Sequence, residues 1–181
     1  MGSTVKMVNL LLSGLLAGVL AACAGVPKGL RPVEAFDIDR YAGKWYEIAR
    51  LDHSFERGLT RVTAVYSKAE DGSIRVANRG WDSKDKKWRQ IEGRAKFTGR
   101  EDVGSLKVSF FGPFYGGYHI IDLDREHYEY ALVAGATRSY LWILARHPKL
   151  DPTVVSRLVA EAERLGFDTS KLVYVDQEPS L

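Results

Sequence analysis

The side chains most often used in catalysis are present in this sequence, but their spacing forms no recognisable catalytic or metal motif. The four histidines, His53, His119, His127 and His147, are spread through the chain without the spacing of metal ligands. The sequence contains neither a glycine-rich phosphate loop nor a G-x-S-x-G nucleophile motif. We therefore expect a protein that is not an enzyme and that needs no metal and no cofactor.

Two other polar residues, Glu47 and Asn78, lie in stretches that alternate with apolar side chains. A carboxylate and an amide inside an apolar interior need hydrogen-bonding partners. In one interpretation they recognise the polar head group of a bound molecule. In the other they are satisfied internally, by Tyr66 or by an arginine. The sequence leaves both interpretations open.

Cys23 is the only cysteine of the chain, so it cannot form an internal disulfide in an exported domain. It follows one positive charge and the apolar run VNLLLSGLLAGVL, the pattern of an export signal. The run is shorter than the roughly 20 residues that cross a bilayer. The segment Leu20-Ala21-Ala22-Cys23 resembles the lipobox of bacterial lipoproteins. We expect a signal peptide at 1–22, a lipidated tether at 23–35 and a folded domain at 36–178.

The elements that would position these residues are short strands with period-two alternation, separated by turn residues. Their regular spacing predicts an all-β, antiparallel, up-and-down barrel of eight strands. A membrane-spanning barrel is disfavoured because the outward faces carry charged residues such as Arg75 and Arg89. The predicted strands are 44–52, 60–68, 73–82, 87–97, 104–111, 116–123, 127–135 and 139–146.

One amphipathic helix is predicted after the barrel, with Asp151 as N-cap, Pro152 at its first position and Gly166 at its end. A short final strand, 171–175, follows. The two last barrel strands are apolar on both faces, which predicts that the helix packs across their outer side. The chain has 26 basic and 23 acidic residues, a balance that does not favour a nucleic-acid partner.

Several motifs resemble those of the lipocalin family. Gly43-Lys44-Trp45-Tyr46 in the first strand is similar to the family's G-x-W motif, and YEYALVAG at 128–135 resembles its second conserved region. Arg146 at the end of YLWILARHP matches the arginine of the third region. Within the family the chain resembles the bacterial outer-membrane lipoprotein lipocalin, which is related to apolipoprotein D.

The resemblance implies a calyx that is open at one end, with Trp45 packed against Arg146 near the closed end. It also implies binding of a fatty acid or a lysophospholipid in the cavity. It further implies anchoring through Cys23 in the bacterial outer membrane, with the barrel in the periplasm, and it is compatible with a homodimer. The alternative is a structural or interaction lipoprotein whose barrel is filled by its own aromatic side chains.

Strand alternation, starting from Trp45 as an inward residue, predicts which side chains face the interior and could contact a ligand. Tyr46, Ile48 and Arg50 are then expected to face outward. A β-bulge in any strand would reverse the assignment beyond it. The predicted ligand-binding residues are Glu47, Ala49, Tyr66, Val76, Asn78, Phe97, Val108, Phe110, Tyr118, Tyr130 and Trp142.

The segment SFFGPFYGGY, residues 109–118, contains five aromatic side chains, four of them within three residues of Pro113. Exposed aromatics there could admit an acyl chain or form a self-association surface. Alternatively the segment is a tight hairpin whose aromatics fold back onto the barrel, and this second interpretation is slightly preferred.

Overall fold

The computed structural model describes residues 24–178. All eight predicted barrel strands and the final strand are present, most with boundaries within one residue of the prediction. The largest differences lie at the starts of the sixth, seventh and eighth strands, which begin two residues earlier, three residues later and two residues later than predicted, respectively. The strands are β1 (Gly43–Leu51), β2 (Leu59–Lys68), β3 (Ile74–Asp82), β4 (Lys87–Phe97), β5 (Ser105–Phe111), β6 (Phe114–Leu123), β7 (Tyr130–Ala134), β8 (Leu141–Ala145) and β9 (Leu172–Tyr174).

The first strand closes the sheet into a barrel. Each of the strands β2 to β7 pairs antiparallel with the strand that follows it in the chain, and β1 pairs with both β8 and β2. Only the first half of β1 contacts β2, from Gly43 opposite Tyr66 to Tyr46 opposite Thr63. The second half pairs with β9 instead, with Leu51 opposite Leu172. The predicted eight-stranded antiparallel barrel with one additional strand is therefore confirmed.

The helix that follows the barrel, Pro152–Arg164, starts and ends as the sequence predicts. The side chain of Asp151 accepts a hydrogen bond of 2.7 Å from the backbone nitrogen of Thr153, which caps the first turn. Gly166 takes a φ of +85° just after the helix, a conformation that glycine adopts without strain. Leu158 and Ala162 are fully buried against the outer face of β7 and β8, as predicted.

A one-turn helix, α1 (Ile38–Tyr41), closes the end of the barrel at which β1 begins; the helix described above is α2. The side chain of Asp37 accepts hydrogen bonds from the backbone nitrogens of Asp39 and Arg40, so it caps this turn. Just before it, Leu30, Val33 and Phe36 are buried along the barrel. The segment predicted as a tether is thus packed on the domain in its second half.

The predicted export signal, 1–22, and the predicted lipidation site, Cys23, lie outside the described residues. Within 24–178, none of the helices is long and apolar enough to cross a membrane.

Candidate functional site

The barrel encloses a cavity of about 1070 Å³. Its volume lies just above the range of roughly 300–1,000 Å³ that is usual for ligand sites. The barrel is therefore not filled by its own side chains, which was the alternative from the sequence. The cavity opens at the end of the barrel formed by the connections β1–β2, β3–β4, β5–β6 and β7–β8.

Most of the side chains that alternation predicts to face inward do line this cavity. They are contributed by six strands, β1, β2, β3, β5, β6 and β8, so the wall is assembled from distant parts of the chain. The predicted residues on the wall are Glu47, Tyr66, Val76, Asn78, Val108, Phe110, Tyr118 and Trp142.

Three predicted residues do not line the cavity. Ala49 lies on the outer face, packed in the cluster under α2, because the pairing of β1 with β8 shifts between Glu47 and Ala49 and reverses the alternation. Tyr130 is also on the outer face, where its ring lies 5.2 Å from the guanidinium of Arg157. Phe97 faces inward, but it packs against Phe36 at the closed end, below the cavity.

The same bulge turns Arg50 inward, although alternation predicts it to face outward. Its side chain is buried, and Nη1 donates to Oε1 of Glu47 at 2.6 Å. Nη2 donates to the backbone oxygens of Glu56 and Leu59. The carboxylate of Glu47 therefore has an arginine as its hydrogen-bonding partner inside the protein. This agrees with the second interpretation given above, in which Glu47 is paired internally and does not bind a head group.

The floor of the cavity is a chain of tyrosine hydroxyls. Tyr118 Oη lies 2.7 Å from Tyr41 Oη and accepts a hydrogen bond of 2.8 Å from Tyr66 Oη. Burial raises the pKa of all three hydroxyls above the ordinary value, so they remain protonated at neutral pH. Trp45 lies beneath them, fully buried, and its Nε1 donates to the carbonyl of Tyr41 at 2.8 Å. The floor is closed and its polar atoms are paired.

A second cluster of polar side chains lies where the β1–β2 connection contacts the wall of the cavity. Glu56 lies next to Glu47, and its Oε2 accepts a hydrogen bond from Trp142 Nε1 at 3.1 Å. Nε2 of His53 lies 3.0 Å from the same oxygen. Burial and the neighbouring Glu56 raise the pKa of Glu47 well above its ordinary value, and Arg50 only partly offsets this. Two acidic side chains thus face each other beside an apolar cavity.

Sequence reasoning did not identify Glu56 and His53 as part of the site. Both lie between two strands, where alternation assigns no direction to a side chain. The i, i+3 spacing of a histidine and a glutamate was the only available signal. Asn78, which sequence reasoning did identify, contributes an Oδ1 that is buried at the wall and has no hydrogen-bonding partner among residues 24–178.

The β5–β6 hairpin lies at the mouth of the cavity. Phe110, Phe111, Phe114 and Tyr115 all border the cavity, but Phe111 and Phe114, which face each other across the hairpin, are 73% and 71% exposed. The preferred interpretation of the sequence, in which all these aromatics fold back onto the barrel, is therefore wrong for the two residues at the tip.

In the described part of the chain, histidine, cysteine and carboxylate side chains form no group of three or more that could hold a metal ion. The cavity is closed at one end and mainly apolar, with a few polar side chains on one side of its wall. Such a site can enclose an elongated apolar molecule and contact a polar group attached to it.

Comparison with known proteins gives consistent matches. The profile of the family described as "Lipocalin-like domain" matches residues 36–177. The outer membrane lipoprotein Blc of Escherichia coli is 49% identical over 177 residues, which cover 97% of this chain and 99% of that protein. The protein of the same name in Vibrio cholerae is 48% identical over 160 residues, 88% of this chain and 94% of that protein.

Among solved structures, insecticyanin from the tobacco hornworm Manduca sexta has a similar fold, with a TM-score of 0.65 and 21% identity. The similarity covers 84% of this chain and 87% of that one. At this identity the likeness concerns the fold alone.

Proposed function

Because the chain belongs to the lipocalin family, we propose that it is a non-enzymatic carrier that binds a fatty acid or a lysophospholipid reversibly in the barrel cavity. The observation that carries the proposal is the large cavity, about 1070 Å³, with a mainly apolar wall and a closed floor. A cavity of this kind can accommodate an acyl chain, which is elongated and apolar. The mouth at the opposite end leaves room for a head group.

The protein is located in the bacterial outer membrane, as the relatives with the name outer membrane lipoprotein indicate. We further propose that Cys23 carries the lipid anchor and that the barrel lies in the periplasm. Anchoring would hold the cavity beside a source of acyl lipids. Several acyl chains on one cysteine give stable anchoring, whereas a single chain binds membranes only marginally.

The expected affinity follows from the burial of methylene groups. Ten methylenes at about 0.8 kcal/mol each contribute roughly 8 kcal/mol, before the entropy lost on binding is subtracted. A dissociation constant in the micromolar range corresponds to about 8 kcal/mol in total. The polar contacts at the wall must therefore offset part of the entropy lost on binding.

Asn78 and Glu56 are the proposed contacts for the polar part of the ligand. The unpartnered Oδ1 of Asn78 can accept a hydrogen bond from a hydroxyl or an ammonium group. Glu56 brings a carboxylate to the same cavity. Donors on the ligand would satisfy both groups, which favours a lysophospholipid with hydroxyl and amine groups over a bare carboxylate.

The test uses protein that begins at Ala24, stripped of lipid, and a fluorescent fatty acid and lysophospholipid. Ala64→Trp fills the cavity from β2, and its neighbour Val65, which is 40% exposed, gives the control Val65→Trp. We expect micromolar binding, weakened at least tenfold by Ala64→Trp and unchanged by Val65→Trp. Absence of binding by the unaltered protein, or equal effects of both variants, would overturn the proposal.

Native mass spectrometry of gently extracted protein gives an independent test. We expect an added mass that matches an acyl lipid, and the same spectrum tests the homodimer that is compatible with the family resemblance. A turnover assay with the recovered lipid should show no chemical change, since we propose a carrier.

A further inference from the structure

Four polar side chains form a wall cluster beside the cavity: Glu47, Arg50, His53 and Glu56. The two carboxyl groups border the cavity, whereas Arg50 and His53 do not. All four residues are more than nine-tenths buried. A molecule in the cavity therefore meets acidic oxygens at this part of the wall and no basic group.

The charges of the wall cluster do not balance. Glu47 and Glu56 carry two negative charges when both are ionised, and Arg50 carries the single permanent positive charge. Nη1 of Arg50 is bonded to Glu47 at 2.6 Å, so no permanent cation remains for Glu56. A net negative charge beside an apolar cavity is costly, and the wall cluster must hold a proton or another cation. Burial and the charge of Glu56 raise the pKa of Glu47 accordingly.

His53 is a second sign that the wall cluster is incomplete. It is 6% exposed, and neither of its ring nitrogens has a hydrogen-bonding partner among residues 24–178. Nε2 lies 3.0 Å from Oε2 of Glu56, but the ring is not oriented for a hydrogen bond. One face of the ring stacks on Phe55, with 3.9 Å between the ring centroids. A buried imidazole without a partner indicates that a further polar group belongs at this place.

The other ionisable side chains around the cavity do not supply the missing cation. Tyr66 faces both carboxyl groups, but its hydroxyl remains protonated and donates to Tyr118 at 2.8 Å. The remaining charged residues on the border of the cavity have other partners: Arg57 is bonded to Asp52, Arg89 is bonded to Asp82, and Arg79 stacks on Trp88.

We propose that Glu56 binds the primary ammonium group of an amphiphilic ligand and that this ammonium takes the place of the proton held by the wall cluster. The displaced proton passes to water. Glu47 is a positioning residue, since it stays bonded to Arg50 and its charge makes a cation favourable at Glu56. Among lysophospholipids, this selects an ethanolamine head group over a glycerol head group. The inference rests on the proposed function, because the apolar part of the same ligand occupies the cavity.

Ammonium binding at this place depends on pH. While the wall cluster holds its proton, the ammonium must displace it, so the dissociation constant falls as pH rises, by up to about tenfold per pH unit. Above the pKa of the wall cluster the dissociation constant becomes constant. An alkylammonium group keeps its own charge throughout, because its pKa lies near that of lysine, about 10.4. An alcohol of the same chain length displaces no proton, so its affinity does not change.

The experiment compares decylammonium with decanol on lipid-free protein that begins at Ala24, as in the test of the proposed function. Between pH 5.5 and pH 7.5 we expect the dissociation constant of decylammonium to fall at least fivefold and that of decanol to change less than twofold. Calorimetry in buffers of different ionisation enthalpy should detect proton release with decylammonium alone. At pH 7.5, lysophosphatidylethanolamine should bind at least fivefold more tightly than lysophosphatidylglycerol with the same acyl chain.

Three variants test the assigned residues. Glu56→Gln can still accept the hydrogen bond of Trp142, and it should weaken decylammonium binding at pH 7.5 at least tenfold and abolish proton release. Glu47→Gln should flatten the pH profile for decylammonium. The matched control is Asp82→Asn, since Asp82 also borders the cavity and its partner Arg89 keeps Asp85 at 2.5 Å. It should change decylammonium binding less than twofold. Decanol should bind all three variants like the original protein.

The outcomes separate this inference from the carrier function. An affinity for decylammonium that does not vary with pH, or equal effects of Glu56→Gln and Asp82→Asn, would overturn the ammonium site. The carrier function would stand in that case if the fluorescent fatty acid still bound and Ala64→Trp still weakened its binding. Absence of binding of every amphiphile, the fatty acid included, would overturn both.

Discussion

The guanidinium of Arg146 lies over the indole of Trp45, with 4.0 Å between Cζ and the ring centroid. The same group donates hydrogen bonds to the backbone oxygens of Arg40, Lys44 and Tyr128. One side chain from the end of β8 thereby joins α1, β1 and the β6–β7 connection. This contact, which the family resemblance implies, lies at the closed end, where neither Trp45 nor Arg146 borders the cavity.

Replacing Arg146 by lysine should destabilise the protein by about 1–3 kcal/mol, because an ammonium group cannot stack on the indole and donate in three directions at once. Urea denaturation of the variant measures the change. The affinity of the folded variant for a fatty acid should stay within twofold of the original, since Arg146 is remote from the cavity. A weaker affinity with unchanged stability would contradict the structural role.

The affinity for saturated fatty acids should depend on their length. Each methylene that enters the apolar cavity contributes about 0.8 kcal/mol, which corresponds to roughly a fourfold change in the dissociation constant. We expect this increment in competition experiments with chains from about eight carbons upward, followed by a plateau once the chain reaches the tyrosine floor. Affinities that do not vary with length would mean that the chain does not occupy the cavity.

The stability of the protein should depend on pH through Glu47. Burial raises the pKa of this carboxyl group in the folded state, so the folded protein binds a proton that the unfolded chain releases above its ordinary pKa. The contribution of Glu47 to the free energy of unfolding therefore falls as pH rises from 4.5 through the folded-state pKa. It falls by about 1.4 kcal/mol for each unit by which the pKa is raised.

Glu47→Gln removes this dependence, because the amide does not ionise. We expect its stability relative to the original protein to increase between pH 5 and pH 8 in urea denaturation. Glu92→Gln, which removes an exposed carboxylate paired with Arg75, is the control for loss of a surface charge. A constant difference between Glu47→Gln and the original protein over this range would contradict the raised pKa.

The sequence predicts the elements of the fold well, because alternation and turn residues are local properties of the chain. The strand β4, for example, has the predicted boundaries, 87–97. The G-x-W motif and the arginine of β8 add a long-range contact that alternation alone would not identify.

The direction of side chains was less predictable, for three physical reasons. A bulge after Glu47 reverses β1, and nothing in the residue types marks it. The strand β7, YALVA, is apolar on both faces, so alternation cannot distinguish its inner face from the face under α2. Alternation also does not indicate how far along the barrel axis a residue lies. It therefore could not show that Phe97, which faces inward, lies below the cavity at the closed end.

Ala49 gives a direct test of the reversed direction after the bulge. It is fully buried under α2, opposite Ile143 of β8, so Ala49→Leu must push an extra side chain into a packed interface. We expect a loss of about 1–3 kcal/mol in the free energy of unfolding, as for overpacked cores in general, with unchanged fatty-acid affinity.

The matched variant is Ala64→Leu, on the wall of the cavity. Its added side chain enters open space, so it should lower the affinity for a long fatty acid severalfold and change stability by less than about 1 kcal/mol. If Ala49 instead faced the cavity, as strict alternation from Trp45 predicts, both variants would lower the affinity and neither would be strongly destabilised. Urea denaturation and fatty-acid titration of the two variants distinguish an outward from an inward Ala49 side chain, because each orientation predicts a different pair of results.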